Sequence, residues 1–406
     1  MIVLIANLGS TSFKCKLYDC HRHTGSRKFC AIATAAVDRI GLGNSAWSVK
    51  YDDQTVDGVT DLHDHEAAIT LVLKQFDEVG ATEDAEIGAV GFKAVHGGRI
   101  SGAVRVDDTV MAALEEFSDV APAHNPPYMA AMKAMDKVLP GVPQVAAFET
   151  AFHSTVPLAR RVYGTPYEWV EKGILRYGFH GASNRYLAQR MAQIAPEAKK
   201  LITLHLGGSV SVSAINDGQS AATSMGMTPQ AGPFHAARVG DFDAFAMLKL
   251  LASGMTVDQI FNDLGKKGGM LGLSGVSSDT REIKQAADNG NKRAQLALDA
   301  FVESCRHYLG AYAVVLGGVD AVVFTAGIGQ NAPWLRSAIC KDLGFLGIKL
   351  DVKLNDATTG NKEAVISATG SKVKVWVVPT DEELVVAQQT VEVLESDTAE
   401  ASASNN

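Results

Sequence analysis

Three short glycine-bearing segments are the first sign of chemistry: Asn7-Leu8-Gly9-Ser10-Thr11-Ser12, His205-Leu206-Gly207-Gly208-Ser209 and Thr325-Ala326-Gly327-Ile328-Gly329. Successive backbone N–H groups in such turns point into one concavity and can hold phosphate oxygens. Glycine lets the backbone approach closely and takes positive φ at little cost. A single turn of this kind reads more simply as a hairpin connection; two matched turns and a third segment point to a nucleotide cleft. There is no G-x-x-x-x-G-K-[ST] and no G-x-G-x-x-G after the first strand, which disfavours a P-loop and a dinucleotide fold.

Charged residues stand near these segments. Arg238, in Ala236-Ala237-Arg238-Val239-Gly240-Asp241, precedes a helical period, where a guanidinium can grip a phosphoryl or carboxylate group with two parallel bonds. A surface ion pair with Asp241 is the plainer alternative. Lys93 lies in an apolar stretch after Gly91-Phe92 and so needs a partner or a ligand. Glu149 similarly follows an apolar run, and Glu382 and Glu383 open the last helix, where acids also complement the helix dipole. His96, His124, His180 and His205 occupy glycine-flanked or turn-like contexts, and His153 follows Thr150-Ala151-Phe152. No pair has H-x-x-x-H spacing, so no histidine metal site is signalled.

The elements that must hold these groups alternate between strand and helix. Apolar runs at 2–6, 201–206, 320–325 and 374–378 read as strands, and 13–18 and 210–215 as returning strands after the first two turns. Helical periods fall at 65–79, 109–117, 183–193, 241–253, 291–316 and 382–394. This interleaving indicates an α/β architecture, and the repeated strand–turn–strand suggests an internal duplication. The polar stretch 396–406 has the composition of an unstructured tail.

The 406 residues include 47% hydrophobic and 20% charged residues, ordinary globular composition for two large or three small domains. The net charge of −8 argues against nucleic acid or an anionic membrane as partner, so positive charge for an anionic ligand has to be local. Five cysteines, with no C-x-x-C pair, signal neither a disulfide framework nor zinc, and fit a reducing, cytoplasmic setting. No apolar run reaches the roughly 18 residues of a membrane span, and no basic leader precedes the first strand.

Taken in order, the motifs NLGSTSFK (7–14), VHGG (95–98), AHNPP (123–127), TAFH (150–153), RYGFHG (176–181), HLGG (205–208), TSMGMTP (223–229), ARVGD (237–241), LGLSGVSSDTR (271–281), FTAGIGQN (324–331) and PTDEE (379–383) resemble those of the acetate kinases, short-chain carboxylate kinases. The resemblance runs from Ile2 to about Val393. It implies two duplicated actin-like, ribonuclease-H-like domains around a nucleotide cleft: one over 1–150, to which the helix at 385–395 returns, and one over 151–384. It implies transfer of the ATP γ-phosphoryl group to a carboxylate such as acetate, Mg2+ or Mn2+ as cofactor, and a homodimer.

Residue by residue, the resemblance implies catalytic roles for Arg238, His180, Lys93 and Glu149, and an acyl pocket formed by Val95, Ala123, Phe179 and Pro229. It implies phosphate and nucleotide contacts from Lys14, His124, His205, Gly207, Gly208, Asp279, Arg281, Gly327, Ile328, Gly329 and Asn331, and metal contacts from Asn7 and Glu382. Several positions depart from the family pattern. Lys93 stands for an arginine, Glu149 for an aspartate, Gly208 for an asparagine, Gln330 for a glutamate and Asp381 for an asparagine. A coupled exchange of Lys93 and Glu149 preserves the pair. Ala123, where the family commonly has leucine, implies room for a larger acyl group such as propionate. The departures also motivate two other readings, a nucleotide-binding scaffold without transfer and a kinase using pyrophosphate.

Overall fold

The computed structural model describes residues 1–9, 11–23, 26–83, 86–98, 100–118 and 125–404. The chain forms two compact units, Met1–Ala151 with Asp381–Asn406, and Phe152–Thr380.

The first unit is built on β1 (Ile2–Gly9), β2 (Ser12–His23), β3 (Ser26–Asp38), β4 (Ser45–Tyr51), β5 (Gln54–Thr60), β6 (Ile87–Ala94), β7 (Ala103–Arg105) and β8 (Gln144–Phe148), in the order β5-β4-β3-β2-β1-β6-β8-β7. β1 and β2 pair antiparallel, with Leu4 opposite Leu17 and Asn7 opposite Lys14, while β6 runs parallel to β1 and β8 parallel to β6. Residues Ile2 to Ala6 are all buried, as expected of a central strand covered on both faces. One cover is the helix Glu382–Ser404, whose Val386, Ala387 and Val391 pack with Val3, Ile5 and Ala89. Gly91 makes this approach possible: a Cβ there would lie 2.3 Å from Thr390 Oγ1.

The second unit repeats the scheme with β9 (Lys200–Leu206), β10 (Val210–Asn216), β11 (Gln219–Thr223), β12 (Ala321–Thr325), β13 (Ala364–Val365) and β14 (Lys374–Val377), in the order β11-β10-β9-β12-β14-β13. β9, β10 and β11 form an antiparallel meander, and β12 and β14 add parallel strands beyond β9. Three antiparallel strands followed by two parallel ones, with the first strand in the middle, is the arrangement of β3-β2-β1-β6-β8 in the first unit. The duplication suggested by two glycine turns is therefore carried by whole sheets. The helix Lys292–Leu316 covers this sheet through Phe301, Cys305 and Leu309 against Ile202, Val212 and Phe324.

Two element expectations change. The helix expected over 241–253 spans only Ala246–Ala252. Asp241 is drawn into a loop, where it accepts from Gly232 N at 2.9 Å and from the Tyr308 hydroxyl, and Asp243 turns its carboxylate to Phe245 N at 2.9 Å. At the other end, the last helix continues to Ser404, into the segment whose composition suggests a tail. Alanine and glutamate in that segment favour a helix already anchored by its buried first turns. Asp381 and the whole of this helix belong to the first compact unit.

Candidate active site

In the first unit Asn7 closes β1, and Lys93 and Glu149 lie at the ends of β6 and β8. The Lys93 ammonium contacts Glu382 Oε2 and lies 3.7 Å from Glu149 Oε1. Burial alone pulls an ammonium toward neutrality, but the carboxylates of Glu382 and Glu149 outweigh it and hold Lys93 above the usual lysine range. The Lys93 and Glu149 exchange thus takes in a third residue, Glu382, which makes the shorter contact. Asp381 serves this helix start: it accepts from Leu384 N at 3.1 Å, from the Tyr18 hydroxyl at 3.1 Å and from Lys16 Nζ at 3.4 Å. Lys14, opposite Asn7 in the hairpin, is exposed. Val95, just beyond β6, is 9% exposed. Ala123 and His124 lie outside the described residues.

In the second unit the turn Gly178-Phe179-His180 leads into the helix Gly181–Ile194, with His180 in the left-handed region at φ 56°. Gly178, at φ 77°, has no room for a side chain, since a Cβ would lie 2.4 Å from Thr223 Cγ2 and 2.7 Å from His153 Cδ2. His153 holds the turn from beneath, with Nε2 2.9 Å from Phe179 O and Nδ1 2.8 Å from Ser220 Oγ. Burial pushes His153 down to about 4, so at neutral pH it is an uncharged bridge. Phe179 is 3% exposed.

The His180 ring stacks on His205, centroids 3.8 Å apart and planes at 18°. His180 Nδ1 lies 2.8 Å from Ser211 Oγ, and His205 Nδ1 lies 2.9 Å from Ser183 Oγ. His205 and Ser211 are direct partners across β9 and β10. Arg238 Nη1 donates to Ser209 Oγ at 3.2 Å and to Pro229 O at 3.4 Å. Ser209 lies in the bend between β9, which carries His205, and β10, which carries Ser211, so Arg238 is tied to the turn that joins those two strands. The ion pair between Arg238 and Asp241 does not form; Asp241 is held by Gly232 and Tyr308 instead. Burial lowers the Arg238 pKa, and no acid among the described residues counters that.

A cleft of about 630 Å³ opens between Gly207, Gly208, Asp279, Arg281, Ile328 and Trp334, with Gly327 and Asn331 also in its wall. Asp279 caps the helix Thr280–Asp288 through Arg281 N at 2.8 Å and grips the Arg281 guanidinium at 2.6 Å. Asn331 spends its amide on the loop, donating to Gly327 O and accepting from Gly360 N, each at 2.9 Å. Beneath the loop lies Arg336, fully buried, donating to the carbonyls of Gly329 (2.7 Å), Gln330 (2.8 Å), Asn355 (2.7 Å) and Thr358 (2.7 Å) and to Asn355 Oδ1 (2.8 Å).

The expected site residues thus fall into two groups, each assembled within its own unit. Sequence reasoning passed over Arg336, Tyr128, Trp334, Ser183, Ser211 and Ser220. An arginine inside Trp334-Leu335-Arg336-Ser337-Ala338-Ile339 is a cation in an apolar helix, a signal open to reading. The serines lie in ordinary strand and helix patterns and announce nothing.

Residues 2–388 match the acetokinase family. The acetate kinase of Halothermothrix orenii is 42% identical over 408 residues, covering 98% of this chain and 100% of that protein. Among solved structures, Porphyromonas gingivalis acetate kinase superposes with a TM-score of 0.88 at 39% identity, covering 97% of this chain and 99% of that one. A propionate kinase from Francisella tularensis gives 0.88 at 31% identity with the same coverage.

Proposed function

We propose a specific chemistry for this chain, which belongs to the acetokinase family: reversible transfer of the γ-phosphoryl group of ATP to a short-chain carboxylate, acetate or propionate. A carboxylate oxygen forms the new O–P bond, the bond from the γ-phosphorus to the β–γ bridging oxygen breaks, and ADP leaves. Such an acid, with a pKa near 4, is already ionised at neutral pH and needs no general base. The work is to bring two anions together and to offset the charge on the equatorial oxygens during in-line transfer.

The observation that carries this reading is Arg238. It is a partly buried guanidinium held by Pro229 O and by Ser209, in the bend just after the His205 strand, with no carboxylate to neutralise it among the described residues. A desolvated cation with spare donors is suited to a phosphoryl or carboxylate group. In this reading His180 and His205 face the transferring phosphoryl group. Gly207 and Gly208 cradle phosphates with their N–H groups, and Asp279, Arg281, Gly327, Ile328 and Trp334 receive the nucleoside. In this reading Phe179 and Pro229 of the second unit meet the acyl group.

Magnesium suits the donor set of the first unit. Glu382 and Glu149 both lie against the ammonium of Lys93, which gathers two carboxylates in the unit that carries Asn7. Among the described residues no three His, Cys, Asp or Glu side chains gather into a metal cluster. Mg2+ commonly takes one or two protein carboxylates and completes its shell with phosphate and water. Glu382 and Asn7 would hold it, and when bound it neutralises charge across the phosphate oxygens. Lys14 is paired with Asn7 in the same hairpin, which supports its reading as a phosphate contact.

The homodimer is read in the same way. Phe245, Leu248 and Phe261 are 78%, 63% and 60% exposed on neighbouring short helices, an apolar face suited to a second copy. Light scattering at micromolar concentration tests it. Five free thiols support the reading of a cytoplasmic setting; no helix among the described residues is long and apolar enough to cross a membrane.

A hydroxamate trap for acyl phosphate tests the reaction, run with acetate, propionate, lactate and butyrate and with ATP, GTP or pyrophosphate as donor. Arg238→Ala is expected to lower kcat/KM by about a hundred- to a thousandfold while ADP binding by calorimetry stays close to wild type. Full activity in this variant would overturn the assignment.

A further inference from the structure

Tyr128 was not among the residues singled out in the sequence. It lies 1% exposed on the helix Asn125–Val138, its ring edge-on to Phe92 with centroids 6.5 Å apart. Its hydroxyl lies 3.2 Å from Leu8 N and 3.3 Å from Asn7 Oδ1. These two contacts fix the direction of the hydrogen bonds. A backbone N–H can only donate, so the phenol oxygen accepts from Leu8. The phenol proton is then available to Asn7, whose amide must offer its oxygen rather than its NH2. The charges of Lys93, Glu149 and Glu382 act on the phenol, which places it against the acidic cluster.

An asparagine amide has two ends of nearly equal shape and opposite function. At the first glycine turn the choice matters, because one end accepts a cation and the other donates to an anion. We infer that Tyr128 is a positioning residue: its hydroxyl, itself oriented by Leu8 N–H, locks the Asn7 amide in one of its two orientations and so presents a single face of Asn7 to the magnesium–nucleotide phosphates. One lone pair of Oδ1 goes to the phenol and the second remains for a cation. This rests on the role of Asn7 proposed above.

Four proteins test it: the wild type, Tyr128→Phe, Asn7→Ala and the double variant, each assayed for kcat and KM in acyl phosphate formation, for ADP binding with and without Mg2+, and for melting temperature. Tyr128→Phe keeps the ring and removes one oxygen. With Asn7 present it is expected to lower kcat/KM about three- to tenfold, the worth of one hydrogen bond, and to weaken Mg2+-dependent ADP binding in proportion. In the Asn7→Ala background the same change is expected to cost less than about twofold, since nothing remains to orient. Two further proteins, Asn7→Asp with and without Tyr128→Phe, keep an acceptor for the phenol and are expected to retain the coupling. Equal losses from Tyr128→Phe in both backgrounds, with Asn7→Ala impaired, would overturn the positioning role alone. Wild-type activity in Asn7→Ala would overturn the reading of Asn7 itself, and the inference with it.

Discussion

The imidazoles of His180 and His205 lie face to face, 3.8 Å between centroids, and each is tethered by a serine at Nδ1. The two rings come from different elements, His180 from the turn before a helix and His205 from β9, so the stack locks the turn onto the sheet. His180→Ala is expected to lower kcat by about a hundredfold or more, with KM for the nucleotide changed far less. Ser211→Ala, which releases Nδ1 but keeps the ring, is expected to show an intermediate loss. Steady-state kinetics separate the cases; equal kcat in wild type and His180→Ala would remove His180 from the reaction.

Arg336 makes five hydrogen bonds in a fully buried site, all to loop carbonyls or to Asn355. Burial lowers its pKa to about 10, still well above neutrality, so the charge persists inside. Arg336→Met leaves those oxygens without donors and is expected to destabilise the protein by about 3–5 kcal/mol in urea unfolding. Where the variant still folds, ADP affinity should fall as well, because the carbonyls of Gly329 and Gln330 are no longer held. A change below 1 kcal/mol would show that the loop holds itself.

Two buried histidines set an acid limit on stability. His153 is lowered to about 4 and His235 to about 3, chiefly by burial, against 6.5 when unfolded. Between about pH 6.5 and 4 the unfolded chain therefore binds protons that the native protein does not. Stability falls as pH drops through that window and recovers as pH rises above it. His153 alone is worth roughly 3 kcal/mol across it. Urea midpoints at pH 7.5, 6 and 4.5 should decline, and less steeply for His153→Gln; identical slopes would contradict the assignment.

Much of the fold was legible in the sequence because its central strands are continuous apolar runs and its turns carry glycine. Ile2 to Ala6 and Ala321 to Phe324 are fully buried and could hardly be anything else. The strands β3 to β5 were not foreseen. They lie on the open edge of the first sheet, where β5 is largely exposed and lacks a strong apolar pattern. The helix Asn125–Val138 was hidden behind Pro126 and Pro127, which read as a turn but are tolerated at a helix start. At the site, the motif residues were legible by type, while the partners that aim them were not. Ser183, Ser211 and Tyr128 become meaningful only through cross-strand register and helix packing, which no local pattern encodes.

The return of the helix Glu382–Ser404 to the first unit has a consequence for biogenesis. Residues 1–151 leave the ribosome without Val386, Ala387 and Val391, three apolar plugs of their own core, and without Glu382, the closest counter-charge of Lys93. The second unit, whose chain is continuous, can complete itself during translation, whereas the half that emerges first has to wait, its sheet uncovered, until the other half has been made. A nascent chain halted before codon 381 would therefore hold a second unit complete in sequence and a first unit still lacking the helix that covers its sheet.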